Sequence, residues 1–114
     1  MSPSVSHVYH LISESDWRAI SQKTHYSPES LAKEGFIHFS LPPQLAGVVS
    51  RFYSGCKDLL VLKIDVSKVP GEFIFEEADG SQYPHLYQPL NLDAVVDVQS
   101  WEKVKASLMI GKNA

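Results

Sequence analysis

The sequence predicts an α+β fold: one domain spanning residues 1–114, with short strands and flanking helices. Three observations lead there. The chain has 114 residues, 44% hydrophobic and 20% charged, which suits a single core and excludes both an extended disordered chain and a fibrous one. Helix signals gather early and strand signals late, an order that favours α+β over a doubly wound sheet. None of the six glycines forms the Gly-x-Gly-x-x-Gly signature of a Rossmann unit.

Val8-Tyr9-His10-Leu11-Ile12 is a short β-prone run. Ser13 follows, three residues before Asp16, as the start of a helix with a first-turn carboxylate and with Trp17 and Ile20 on one face. Ser27-Pro28-Glu29 opens a second helix, with proline at its first position, and Gly35 ends it. Gly35 to Ser40 reads as a strand, after which Pro42-Pro43 opens the clearest helix. There Leu45, Val48, Val49 and Phe52 fall at i, i+3, i+4 and i+7, the buried stripe of an amphipathic helix, and Gly55 closes it. Leu59 to Val66 is the strongest strand, apolar on both faces at first, and is expected at the centre of a sheet. Phe73 to Ala78 forms another strand, ending at the hairpin signal Asp79-Gly80. Pro84 cannot donate to a ladder, so the returning strand is expected to be interrupted or to lie at an edge. Leu92 to Val98 supplies a last strand, and Trp101, Val104 and Leu108 space a C-terminal helix over about residues 101–110.

Composition narrows the function classes. Ten Lys+Arg against 13 Asp+Glu give a net charge of −3, which argues against an extended nucleic-acid surface built on a basic stripe. The single cysteine, Cys56, forms no internal disulfide and excludes thiolate-rich metal frameworks. No segment approaches a membrane span and the N-terminus lacks a leader pattern, so the expectation is a soluble, cytoplasmic protein with no membrane partner.

Chemistry-bearing residues concentrate at strand signals. Period two places Phe36, His38 and Ser40 on one strand face and Ile37 and Phe39 on the other. His38 and Ser40 stand just before a helix start that favours anions, although Pro42 and Pro43 remove two of the donors a phosphate would use there. Ser40 also reads as a turn or capping residue. Glu76 and Glu77 point to opposite faces of their strand, so only one can join a given site. If the face of Phe73 and Phe75 is the core, Glu77 is the carboxylate at the margin of the interior; two solvated charges flanking a hairpin are the plainer reading. Tyr83-Pro84-His85-Leu86-Tyr87 is dense enough in rings to stack a planar ligand or to close the core. No His-x-x-x-His or Glu-x-x-His pair has helical spacing, so no metal site is expected. Cys56 has only a neighbouring lysine to activate it, and Ser40 with His38 forms no triad.

Tyr9-His10-Leu11, Trp17, Glu34-Gly35-Phe36-Ile37-His38-Phe39-Ser40, Gln44, Phe52-Tyr53, Asp58 to Asp65, Glu76-Glu77 and Pro84-His85-Leu86-Tyr87-Gln88-Pro89-Leu90 together resemble the bacterial "domain of unknown function 952" family. The resemblance runs from about residue 8 to residue 100. It implies a fold similar to the ADP-ribosyltransferases, a split, curved, mixed or antiparallel sheet with flanking helices and with NAD in the cleft between the sheet halves. By that resemblance His10 contacts the adenosine-side ribose, His38 lies by the nicotinamide side as in RNA 2′-phosphotransferases, and Glu76 or Glu77 orients the nicotinamide ribose. The chain departs from the phosphotransferases in having only Arg18 and Arg51 as arginines. The expected function is thus binding of NAD, as a substrate rather than a resident cofactor, or of a related small nucleotide, with transfer of the ADP-ribosyl group to an unknown acceptor or its hydrolysis. His38, Glu76 and Glu77 are the catalytic candidates, and His10, His38, Ser40, His85 and Tyr87 the binding candidates. The alternative is a non-catalytic nucleotide-sensing or protein-interaction module using the same cleft.

Overall fold

A computed structural model describes residues 5–113, with side chains through Leu108. In chain order the elements are β1 (His7–Ser13), α1 (Glu14–Ile20), β2 (His25–Tyr26), α2 (Glu29–Glu34), β3 (Ile37–His38), α3 (Pro42–Phe52), β4 (Leu59–Asp65), β5 (Phe73–Ala78), β6 (Ser81–Leu86), β7 (Leu90–Asn91), β8 (Val95–Ser100) and α4 (Trp101–Asn113). Short 3-10 turns at Val66–Lys68 and Leu92–Ala94 precede β5 and β8. The strands form three sheets, ordered β1-β4-β8, β3-β6-β5 and β2-β7, and every pairing among the described residues is antiparallel. The α+β class therefore stands with antiparallel sheets, and no parallel pair supports the mixed alternative.

As its doubled apolar pattern requires, β4 is central and buried on both faces. Leu62 and Ile64 face one cluster with Val8, Ile12, Ile37, Phe39, Phe73 and Leu86, which fills the space between the two three-stranded sheets. Leu59 and Val61 face the other way, onto Leu11, Leu45 of α3 and Trp101 of α4. The predicted stripe of α3 is buried at Leu45 and half-buried at Val48 and Val49, but Phe52 is exposed, because the helix ends there rather than at Gly55.

Local signals act as expected at two helix ends. Ser13 Oγ accepts the Asp16 N–H and starts α1, and Gly35 closes α2 at φ +91°, a left-handed conformation that suits glycine. Pro28 stands one position earlier than expected, at the N-cap of α2. The predicted strand 35–40 pairs for only two residues, followed by a single bridge between Ser40 and Tyr9. The expected last strand begins at Val95, since Leu92–Ala94 coils into a 3-10 turn, and α4 runs past residue 110 to Asn113.

Contrary to the interruption or edge expected from Pro84, β6 runs unbroken over Ser81–Leu86 as the middle strand of its sheet. Phe39 N–H donates to the Pro84 carbonyl at 3.0 Å, so Pro84 turns its backbone toward β3. The return bond to Phe39 needs an N–H that proline lacks, and the β3–β6 ladder stops at His38 for that reason. Ser40 then passes to the other sheet, exchanging backbone bonds of 2.7 and 2.9 Å with Tyr9.

Side chains of α3 fasten the β5–β6 hairpin. Gln44 Oε1 accepts the Leu41 N–H at 2.8 Å, while its Nε2 donates to Ser81 Oγ and the Gln82 carbonyl, both at 2.8 Å. Arg51 reaches Asp79 and the Tyr83 hydroxyl of the same hairpin. Gln44→Ala is expected to lower the unfolding free energy by about 1–3 kcal/mol, the range for losing buried polar partners, and to speed amide exchange in the hairpin. Urea denaturation and hydrogen exchange check this.

Candidate functional site

β1 alternates between the two cores, so His10 shares the inner face with Val8 and Ile12. Its imidazole is buried. Nδ1–H donates to the His38 carbonyl at 2.7 Å, which leaves Nε2 as the acceptor of the Tyr26 hydroxyl at 2.9 Å. The Tyr26 ring meets it edge-on at 5.2 Å, with Phe39 at 5.4 Å. Burial is the main force pushing the His10 imidazole down to about 4, so it is neutral at neutral pH. Burial also raises the Tyr26 hydroxyl, which stays a proton donor. His10 thus has both nitrogens engaged inside the protein, behind the backbone of His38.

That outer face belongs to the β3-β6-β5 sheet. Register sets His38 opposite His85 and His85 opposite Ile74, and alternation adds Phe36, Glu76 and Tyr87 to the same side. Phe36 stacks on the His85 ring at 4.1 Å and 20°, and it meets His38 at 4.9 Å and Tyr87 at 5.2 Å. The His38 and His85 rings meet edge-to-face at 5.3 Å. Each imidazole has its own carboxylate: His85 Nδ1–H donates to Glu76 Oε1 at 2.8 Å, and His38 Nε2–H donates to Glu34 at 3.0 Å. The Tyr87 hydroxyl donates to the same Glu76 oxygen. The bonds from Tyr87 first and His85 second hold the Glu76 carboxyl below the usual carboxylate range, and the Tyr87 hydroxyl is raised in return. The result is an ionised, oriented carboxylate beside aromatic rings on an open surface, since Tyr87 remains 49% exposed.

Of the residues singled out in the sequence, His38, His85, Glu76 and Tyr87 come together. Glu77 does not. The Phe73–Phe75 face is the core as supposed, but by Glu77 β5 has run beyond it: Glu77 pairs with Gln82 near the hairpin tip and is exposed. Ser40 is buried and spends its backbone on Tyr9, which takes it off the face of His38 that uninterrupted alternation predicted. Phe36, Glu34 and Tyr26 were missed. Phe36 was recoverable from the same period-two reading that placed His38, whereas Glu34 and Tyr26 meet their histidines only through the turn at Gly35 and the tertiary packing of β2.

A buried histidine cross-linking strands behind a carboxylate-anchored, aromatic face defines a small α+β protein with one polar, ring-lined surface. The residue pattern assigns it further: residues 11–98 match the family model "Protein of unknown function (DUF952)", and the chain belongs to that family. Its fold is also that of protein CC0527 from Caulobacter crescentus. Crystal structures of that protein and of a double mutant each align at a TM-score of 0.74 and 23% identity, covering 83% of this chain and 85% of the other. A solution NMR structure of it aligns at 0.72 and 22% identity, covering 84% of each chain. No curated protein matches. These similarities establish the family and the α+β fold; they do not extend to an ADP-ribosyltransferase relationship. No helix among the described residues is long and apolar enough to cross a membrane.

The lowered His10 value fixes the sign of a pH effect. Between 6.5, the ordinary value, and about 4, the unfolded chain binds a proton at His10 that the folded chain refuses. Stability from this residue is therefore complete above pH 6.5 and falls by about 3 kcal/mol as pH drops to 4. Urea denaturation across that range checks it: His10→Gln should flatten this part of the wild-type slope.

Proposed function

We propose that the face formed by Phe36, His38, Glu76, His85 and Tyr87 binds a small nucleotide of the ADP-ribosyl class, with NAD as the reference ligand, and breaks its ribosyl–nicotinamide bond. The observation that carries this reading is Glu76: its carboxylate is kept ionised and aimed by Tyr87 and His85 at the edge of an aromatic platform. The nicotinamide ring of NAD is a planar cation, and a face of rings bounded by Glu34 and Glu76 suits such a group by stacking and by charge. When the C1′–N bond breaks, its electron pair leaves with nicotinamide and the ribose becomes an oxocarbenium-like cation. Glu76 stabilises that cation electrostatically. Water or an acceptor hydroxyl then bonds to C1′ and releases a proton, which His38 at the rim is placed to accept.

One observation favours a non-catalytic module using this face: Glu76 Oε1 already accepts two hydrogen bonds, an arrangement that also suits a rigid recognition surface. Incubation with NAD, with nicotinamide release followed by chromatography and binding by calorimetry, separates the two. Catalysis predicts release that Glu76→Gln lowers by about 10²-fold and that His38→Ala also reduces. Binding without release selects the module. Neither binding nor release at high protein concentration rejects both.

A further inference from the structure

The opposite face of the molecule carries a concavity. It lies over the outer side of the β1-β4-β8 sheet, where α3 and α4 diverge, and encloses 240 Å³. That is below the range of drug-sized pockets, so its occupant must be small. One end is polar. Register lays Tyr9, Lys63 and Asp97 side by side across the three strands, and all three line the groove. The other end is mainly apolar, with Val61 as floor and Leu45, Val104 and Leu108 beside it, and with Gln99 and Ser107 as its polar members.

Lys63 is the unusual residue. It interrupts the apolar outer face of a central strand, directly after Leu59 and Val61, at a position that packing alone would fill with an aliphatic side chain. It is half-buried, yet among the described residues no carboxylate lies within 4.0 Å of its ammonium, and it donates to no protein acceptor. Asp97, its cross-strand neighbour, is oriented instead by the Val98 N–H at 2.9 Å and the Gln99 amide at 2.6 Å. A cation and an anion are thus presented side by side at one end of a small apolar trough, without closing on each other.

We propose that this groove binds a free α-amino acid with an apolar side chain. The ligand carboxylate pairs with Lys63 and the Tyr9 hydroxyl, its ammonium pairs with Asp97, and its side chain lies on Val61 between Leu45 and Val104. The paired charges discriminate: a simple carboxylic acid leaves Asp97 without a partner beside its own negative charge, and a simple amine leaves Lys63 unpaired. A nucleotide is disfavoured because Lys63 is the groove's sole cationic lining residue among the described residues.

Calorimetric titration of the full chain with L-leucine and L-phenylalanine tests this, with 4-methylpentanoate and 3-methylbutylamine as ligands lacking one charge each. Saturable binding of an amino acid is expected, at least about tenfold tighter than either singly charged analogue, as loss of one charge-assisted pair implies. Lys63→Met keeps the aliphatic stem and should weaken binding about tenfold or more, and Asp97→Asn should act likewise. Ser107→Trp, at an exposed position of α4, should block the groove without touching either core. Glu76→Gln, on the opposite face, should leave amino-acid binding unchanged. Absence of saturation at millimolar ligand, equal binding of 4-methylpentanoate, or undiminished binding by folded Lys63→Met and Ser107→Trp would each overturn the proposal.

Discussion

The structure depends on the two hydrogen bonds made by one buried imidazole. His10 belongs to β1, Tyr26 to β2 and His38 to β3, strands of three different sheets. Short ladders alone hold β2 and β3 in place, two residue pairs each, which is little for strands that must position side chains. The neutral imidazole adds a donor on one side and an acceptor on the other, both in a medium where an unmet polar group is costly. An aliphatic side chain would fill the volume but leave the His38 carbonyl and the Tyr26 hydroxyl facing one another's absence.

This bond also couples the interior to the candidate site. The carbonyl that His10 holds is that of His38, whose own ring lies on the other side of the sheet against Phe36 and His85. Backbone position is set from behind and ring position from in front, by Glu34 and the neighbouring rings. The same logic repeats at His85, where Phe36 covers one ring face and Glu76 fixes Nδ1. Rings thus restrict the histidines by contact and carboxylates restrict them by direction, which is how a surface site on a short strand acquires defined geometry.

Much of this was legible in the chain. Doubled apolarity in Leu59–Leu62 placed β4 at the centre, and period two in Phe36–His38 put those rings on one face, because both are properties of the local backbone. Glu76 and Glu77 marked the limit of that reading. Alternation separates two adjacent carboxylates with certainty, but which of them lies among partners depends on where β5 outruns the core, a length set by the hairpin and by α3. Pro84 misled in an instructive way: its missing donor was read as an interruption or an edge, whereas β6 runs through it and the neighbouring strand is shortened instead. The roles of Tyr26 and Glu34 were not visible, since each reaches its histidine from an element whose docking no local pattern encodes. The row of Tyr9, Lys63 and Asp97 likewise exists only across strands far apart in the chain.

The order of strands has a consequence for how the protein is made. β1 pairs with β4, β4 with β8, β2 with β7, and β3 with β6, so the sheets are threaded through one another along the chain instead of being finished in turn. When a ribosome has released β1, α1 and β2, none of those strands has its partner. The first three-stranded sheet is not complete until Ser100 of β8 has emerged, long after β1. The apolar surface of β1 must therefore wait, uncovered or shielded by other factors, at least until β4 has emerged, so the first stable contacts of this sheet are long-range ones.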